Sequence, residues 1–291
     1  MVTQGRIVVT GAAGQLGGAL VGLLGDRAVA LRRTELDITD RDAVRRVVAD
    51  LGPAAVVNCA AWTNVDKAES EPEACRAANV AAVAALADAC SITGAMLVQV
   101  SSDYVFGGDL LPRVPRREED ATSPAGVYAA SKLAGEEAAR RCERHQIVRT
   151  CGLYSAGAAG PVRGRNFADT MLVLARDRPE VKVVADQHCT PSYVPHVAAA
   201  IVALLERGTP GTYHATNSGA TTWHAFATEL FRRAGLPIVV TPIASSDWPS
   251  PVARPPYSVL DCSKLADLGI VLPDWREGIA DYLAAGLRPA A

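Results

Sequence analysis

The chain has 291 residues, 49% of them hydrophobic and 21% charged, with a formal net charge of -2. That length suits one large domain with a smaller lobe, and the composition excludes a disordered chain. A net charge so close to zero excludes the basic footprint of a nucleic-acid binder and a general attraction to anionic membranes.

Residues 1–14 lack a basic stretch followed by an apolar one, so a secretory signal is not expected. The first strand is expected at 6–9, rich in β-branched residues. A helix follows at 15–24, then a short strand at 28–31 and a helix at 40–51 with Asp and Arg on its wet face. Next come a strand at 54–59 and a long Ala-rich helix at 72–90 with Pro72 in its first turn. Asp88 interrupts the apolar part of this helix, and no run is expected to reach the ~20 residues a membrane span needs. A strand at 95–100, a helix within 124–143 and a strand at 146–149 complete the series. This alternation predicts an α/β fold with a parallel, doubly wound sheet and helices on both faces. The strands are continuous apolar runs, as expected when both faces are covered.

Beyond Thr150 the texture changes. A loop rich in Gly and Ala at 155–164 precedes a helix at 167–175, a strand at 181–184, a helix at 194–205 and a strand at 212–215. A helix at 221–234 is stopped by Gly235 and Pro237, and a Pro-rich stretch occupies 248–256. The expected organisation is a Rossmann-type dinucleotide domain over 1–150, with segments near 165–185 and 194–216 returning to it. Most of 151–291 then forms a smaller C-terminal substrate lobe.

The first strand runs into Gly11-Ala12-Ala13-Gly14-Gln15-Leu16-Gly17, a GxxGxxG turn opening a helix. Gly11 permits the tight turn, Gly14 lets backbone approach a pyrophosphate, and Gly17 lets the helix lie close to the sheet. Free N–H groups at the helix start bind the pyrophosphate charge. The end of the second strand selects the cofactor. An acid there favours NAD, but this chain has Arg32 and Arg33, whose guanidinium groups suit a 2′-phosphate. NADPH is therefore the expected preference, while Glu35 keeps NADH use open.

Tyr128 and Lys132 form a YxxxK pair, one helical turn apart on one face. The ammonium and a cationic nicotinamide are expected to lower the phenol's pKa towards the working range. Ser102 ends the strand at 95–100, at the sheet edge where doubly wound folds bind ligands, and can donate to a carbonyl oxygen. The ordered set of glycine turn, Asn58-Cys59-Ala60-Ala61, Ser102 and YxxxK fits one geometry. Seven cysteines, an odd number without a CxxC pair, are expected as free thiols of a reducing cytoplasm. No histidine stands at zinc-ligand spacing, and no metal site is expected.

These motifs resemble the extended short-chain dehydrogenase/reductases, and more narrowly the dTDP-4-dehydrorhamnose reductase family. Besides the glycine turn, the resemblance rests on 36–40 (LDITD), 61–69 (AWTNVDKAE), 101–106 (SSDYVF), 128–136 (YAASKLAGE) and Arg149-Thr150. In the C-terminal part it rests on Asn166-Phe167, Asp186-Gln187, Thr190-Pro191, Thr222-Trp223 and Arg254-Pro255. It implies reduction of the 4-keto group of a nucleotide-linked 6-deoxyhexose, with Tyr128 as proton donor, Lys132 as its partner and Ser102 in the place usual for threonine. It places Asp37 and Ile38 by the adenine, and Cys59, Ala60, Ala61 and Thr63 along the cofactor. Asp103 and Tyr104 line the sugar pocket, and Asn166, Gln187 and Arg254 face the nucleotide of the substrate. Cys151-Gly152 departs from the Ser-Trp of the family, which reshapes the sugar pocket and leaves another dTDP-4-keto sugar open. A contact between Cys151 and Cys189 is a further expectation, and association as a homodimer stays open. Two rivals share the fold. A dehydratase or epimerase is disfavoured because Asp103 is followed by Tyr104, not by an acid. A non-catalytic regulatory subunit is disfavoured by the intact Ser102, Tyr128 and Lys132.

Overall fold

The computed structural model describes residues 5–108, 113–156 and 166–286. Six strands form the main sheet in the order β2-β1-β3-β4-β5-β8, every neighbouring pair parallel. They are β1 (Ile7–Thr10), β2 (Ala28–Leu31), β3 (Ala55–Asn58), β4 (Met96–Ser102), β5 (His145–Thr150) and β8 (Gly211–His214).

Alternating side chains of these strands enter two separate cores. Ile7, Val9, Val57 and Val98 pack under the helices Gln15–Leu24 and Val194–Arg207. Val8, Val56, Leu97 and Ile147 pack on the other face with Val44, Leu86 and Ala139. Covering on both faces explains why these strands lack polar alternation. The chain leaves β1 towards β2 on one side, then crosses to β3 on the other. That reversal opens a crevice at the carboxyl ends of β1 and β3.

Two expectations are corrected by the pairing. In the segment 194–216 the helix packs on the helix Gln15–Leu24, and β8 extends the sheet beside β5. The segment 165–185 does not join that sheet. Its strand β6 (Glu180–Val184) pairs in parallel with β10 (Val239–Ile243) in a separate two-stranded sheet. Ala168, Met171, Val181 and Val183 find their apolar partners in Phe226, Phe231 and Trp275, so this segment builds the C-terminal lobe. The expected helix at 221–234 starts at Trp223, because Thr221–Thr222 forms β9, antiparallel to β7 (His188–Cys189). Thr222 then caps that helix by accepting from Ala225 N at 3.1 Å.

The Ala-rich helix is longer than expected. It runs from Pro72 to Thr93, 22 residues, with a mean hydropathy of 1.3 in its most apolar window. By length and composition alone it could cross a membrane, contrary to the expectation that no run is long enough. Half of that window is buried inside the fold, against α2 (Arg41–Leu51) and the helix Gly126–Ala139. A wide π turn at Ala77–Ala81 interrupts its regular winding. There Asn79 accepts from Trp62 N at 2.9 Å and donates to Ser131 Oγ at 2.9 Å. Gly135 allows this close approach, since a Cβ there would collide with the Asn79 carbonyl.

Candidate active site

The glycine turn is built as its spacing requires. Gly11 has φ +63°, and a Cβ on it would lie 2.7 Å from Ala60 N. The turn after β1 thus touches the Cys59–Ala60 turn after β3. Gly17 packs its backbone against the Gly11 carbonyl, where a side chain would collide. Gly14 caps helix α1 (Gln15–Leu24) with no side-chain hydrogen bond, and the first turn carries no acid. These features leave a cradle for an anion at a helix N-terminus and fit a dinucleotide pyrophosphate. Below it, Thr10 Oγ1 donates to Asn58 Oδ1 at 2.6 Å, and Asn58 Nδ2 donates to Gln99 Oε1 at 2.7 Å. This ladder ties β1, β3 and β4 together under the crevice.

The cofactor candidates divide by what they can offer. Ala13 is half-buried beside the turn, while Leu16 and Ile38 turn their side chains into the cores. The last two can offer only backbone. Gln15 does not face open crevice with its amide oxygen, which accepts from Ser155 Oγ at 2.9 Å and Asn166 Nδ2 at 3.3 Å. Arg32 and Arg33 stand exposed beyond β2, with Arg33 Nη2 3.4 Å from Asp37 Oδ2. Hydrogen bonds from Thr39 hold the Asp37 carboxyl below its ordinary range. Ala60 and Ala61 are half-buried and Thr63 is exposed in the loop after β3.

Ser102, Tyr128 and Lys132 converge. Ser102 ends β4, and Tyr128 lies near the start of the helix Gly126–Ala139. Glu69 fixes that start, accepting from Val127 N at 2.6 Å. The Tyr128 phenol lies within interaction range of the Ser102 side chain. Lys132, 5% exposed, donates from Nζ to Val100 O at 2.7 Å. Burial lowers its ammonium to about 8, with the Glu136 carboxylate one turn on pulling the other way. The Cys59 thiol is pushed up to about 12 by burial, and its coupling to Lys132 places the end of β3 beside this ammonium.

The phenol corrects a further expectation. Burial pushes the Tyr128 pKa up, not down, and only the Ser102 side chain opposes it. The Lys132 ammonium donates to a strand carbonyl and is not among the groups that shift the phenol.

The sugar-side candidates Asp103 and Tyr104 belong to the same cluster. Tyr104 meets Tyr128 edge-on with ring centroids 5.6 Å apart. Asp103 is 2% exposed, and its carboxyl contacts Ser102 Oγ at 2.9 Å and Ser258 Oγ at 2.6 Å. Arg254 Nη2 pairs with Asp66 at 2.7 Å, while its Nη1 is buried without a hydrogen-bond partner among the described residues. Asn166 and Gln187 are not joined to this cluster. Asn166 caps the helix Phe167–Asp177 and bonds Gln15, beside the glycine turn. Gln187 donates to Ser245 Oγ at 3.0 Å. Ser258 and Ser155 escaped the sequence reading, because a lone hydroxyl with a distant partner leaves no local pattern, and Glu69 enters it only as part of the 61–69 motif, without a role.

The RmlD substrate binding domain family matches residues 5–287 of the chain. The chain belongs to this family. It is 44% identical over 292 residues to a dTDP-4-dehydrorhamnose reductase of Streptomyces griseus, covering 96% of this chain and 93% of that one. Another of that name from Mycobacterium tuberculosis is 39% identical over 289 residues, covering 96% and 93%. A Bacillus anthracis dTDP-4-dehydrorhamnose reductase solved in complex with NADP superposes with a TM-score of 0.91 at 34% identity, covering 97% of this chain and 100% of that one. A Thermus thermophilus UDP-glucose 4-epimerase, with a TM-score of 0.81 at 23% identity and 98% and 100% coverage, shares the fold alone.

Within this RmlD-family chain the Cys151-Gly152 departure has a structural counterpart. Gly152 has φ +50°, and a Cβ there would lie 2.8 Å from the Trp223 ring and 3.2 Å from Pro191 Cα. Trp223 itself packs on Phe167 with centroids 4.6 Å apart. Aromatic surface from the C-terminal lobe therefore occupies the space next to Gly152, and no side chain fits at this position. Cys151 and Cys189 are buried free thiols within interaction range of each other.

Proposed function

We propose that this chain reduces the C4 carbonyl of a dTDP-linked 4-keto-6-deoxyhexose, dTDP-4-dehydrorhamnose, to dTDP-L-rhamnose, with NADPH as preferred reductant. The observation that carries this reading is the meeting of the Tyr128 and Ser102 side chains at the carboxyl end of β4, with the Lys132 ammonium behind them. The names borne by the relatives support the substrate, and the NADP held by the Bacillus anthracis relative supports the cofactor.

When bound, the reduced nicotinamide supplies the hydride. Ser102 orients the carbonyl oxygen and stabilises the charge that develops on it. Tyr128 gives its proton to that oxygen. Burial keeps the phenol protonated, which suits a group that must act as an acid. Lys132 holds a positive charge beneath the site and is positioned by Val100 O. Arg254 Nη1 supplies a donor for the substrate diphosphate, with Asn166 and Gln187 on the nucleotide side. In this reading residues 1–150 with the returning segment 194–216 hold the cofactor, and most of 151–291 holds the sugar nucleotide. The described cysteines are all unpaired, which fits a reducing cytoplasm.

Arg254→Ala is expected to raise the substrate KM at least tenfold with little change in kcat, since a charge-assisted bond contributes about 1.5–3 kcal/mol. Steady-state kinetics with the keto sugar varied would check it. Replacing both Arg32 and Arg33 by Ala is expected to raise the KM for NADPH about tenfold and leave that for NADH nearly unmoved, through loss of charge-assisted phosphate contacts of similar size. Initial rates with each cofactor decide this.

The decisive experiment follows NADPH oxidation by the purified protein against a panel of dTDP-4-keto sugars, with product configuration read by NMR. Failure to oxidise NADPH with every member would remove the reading. The Gly152 site favours one alternative, a different 4-keto sugar of the panel, because it reshapes the pocket next to Cys151.

A further inference from the structure

Asp103 is buried next to the reacting groups, and among the described residues no cation contacts its carboxyl. Its carboxyl meets Ser102 Oγ at 2.9 Å on Oδ1 and Ser258 Oγ at 2.6 Å on Oδ2. The Cys151 thiol also donates to it. The groups that meet its carboxyl are thus hydroxyls, a thiol and its own backbone N–H. The other titratable groups that face it are Tyr104 and Tyr128, with Cys189 behind Cys151. His188 and Tyr257 lie on the segments that carry Ser258. The nearest guanidinium, Arg254, acts across Tyr104 and is already paired with Asp66.

The Ser102 hydroxyl is correspondingly crowded. Its oxygen accepts from Tyr104 N at 3.2 Å and touches Asp103 at 2.9 Å, with the Tyr128 phenol within interaction range. A hydroxyl has one hydrogen. If Asp103 is a carboxylate, that hydrogen is committed to Oδ1, and Ser102 turns only lone pairs towards a substrate oxygen. If Asp103 is a carboxylic acid, Oδ1 donates to Ser102, and the Ser102 hydrogen is released towards the pocket. The 2.9 Å contact serves either arrangement, but only the second serves a reduction.

We propose that Asp103 is a positioning residue that works as an un-ionised carboxylic acid, donating to Ser102 and so aiming the Ser102 hydrogen at the substrate carbonyl. No bond to carbon forms at Asp103, and its proton stays on Oδ1 throughout. Removal from water without a compensating cation disfavours the carboxylate, and burial is the leading cause of the upward direction of its pKa. Oδ2, left as the carbonyl oxygen, accepts the Ser258 hydroxyl. This deepens the reductase reading and rests on it for the kinetic part only.

The test pairs infrared spectroscopy with kinetics. In the wild-type protein near neutral pH, a C=O stretch of an un-ionised carboxyl should be present. It should vanish in Asp103→Asn, move to higher frequency in Ser102→Ala, and bleach in the wild type as pH is raised. Asp103→Asn should keep kcat within about tenfold of wild type, since its amide N–H replaces the acid O–H as donor. Asp103→Ala should lose about a hundredfold or more in kcat with KM nearly unchanged, as for a misdirected oxyanion donor. A wild-type spectrum with no such band, or no loss of it in Asp103→Asn, would overturn the proposal. So would an Asn variant as slow as the Ala variant. The band needs no turnover, so a wild type that oxidises no NADPH sinks the reductase reading while leaving the spectrum to decide Asp103. The wild-type pH titration also needs no variant to fold.

Discussion

Tyr128→Phe is expected to lower kcat by about 10²–10⁴-fold while leaving NADPH binding within a few-fold of wild type. The substitution removes one hydroxyl and keeps the ring that meets Tyr104 edge-on. The proton that this hydroxyl delivers has no ready substitute. Ser102 is a far weaker acid, and the Lys132 ammonium is bound to Val100 O. Because the phenol is held protonated by burial, the rate should not require its ionisation. The alkaline fall in kcat should instead follow Lys132, whose ammonium titrates at about 8. A stopped-flow pH series on the wild type, with fluorescence titration of NADPH on the variant, reads both parts. Tyr128→Phe retaining more than about a tenth of the wild-type rate would remove this tyrosine from proton transfer.

Glu136→Ala is expected to cost about 3–5 kcal/mol of stability, enough to put folding itself at risk. Glu136 is fully buried and Arg149 is 2% exposed. Arg149 grips the carboxylate with two bonds, Nη2 to Oε2 at 2.7 Å and Nε to Oε1 at 2.8 Å. Ser101 Oγ adds a third at 2.6 Å. Removing the acid strands a guanidinium in the core. Glu136→Gln keeps one acceptor oxygen and the side-chain volume and should cost less. Denaturant melts of both variants check this ordering.

Acid should weaken the same region. Arg149 and Ser101 hold the Glu136 carboxyl below its ordinary range despite burial. Its contribution is therefore full above the unfolded value and is lost as pH falls through the lower folded value. His214 lies against Arg149 at 3.3 Å, and burial lowers its pKa from 6.5 to about 4. The unfolded chain takes up that proton first, so stability declines as pH falls from 6.5 to about 4, a decline that begins before the carboxylate adds to it. A melting temperature that stays level across that window would contradict the buried neutral imidazole.

The parts of the fold that were legible in the sequence are those where one physical demand acts over consecutive residues. Val8, Val9, Val56 and Val57 are apolar without alternation because both faces of the sheet are covered. The glycine turn is legible because φ +63° at Gly11 and backbone contact at Gly17 exclude other residues. The placing of β6 failed although a clue was present. Exposed Glu180 and Lys182 alternate with buried Val181 and Val183, the mark of a strand covered on one face only, which is out of place in a doubly wound sheet. Lys132 does not lower the Tyr128 phenol as expected, because spacing puts it on the same helix face but does not say where the ammonium points. The partnership of Asp103 with Ser258 joins residues 155 positions apart, and no local pattern encodes it.

The wide turn at Ala77–Ala81 fixes more than a local bulge. An α-helix advances about 100° per residue, so the surplus residue there sets the rotational phase of everything after it. Deleting one residue to restore even winding would swing Val83, Leu86 and Cys90, all buried now, about a quarter-turn round the axis. Polar Ser91 and Thr93 would swing with them. The helix would keep its hydrogen-bond count and lose its address in the protein. A shortened chain of this kind should therefore look helical by circular dichroism and yet fail to assemble the seam on which Tyr128 and Lys132 stand.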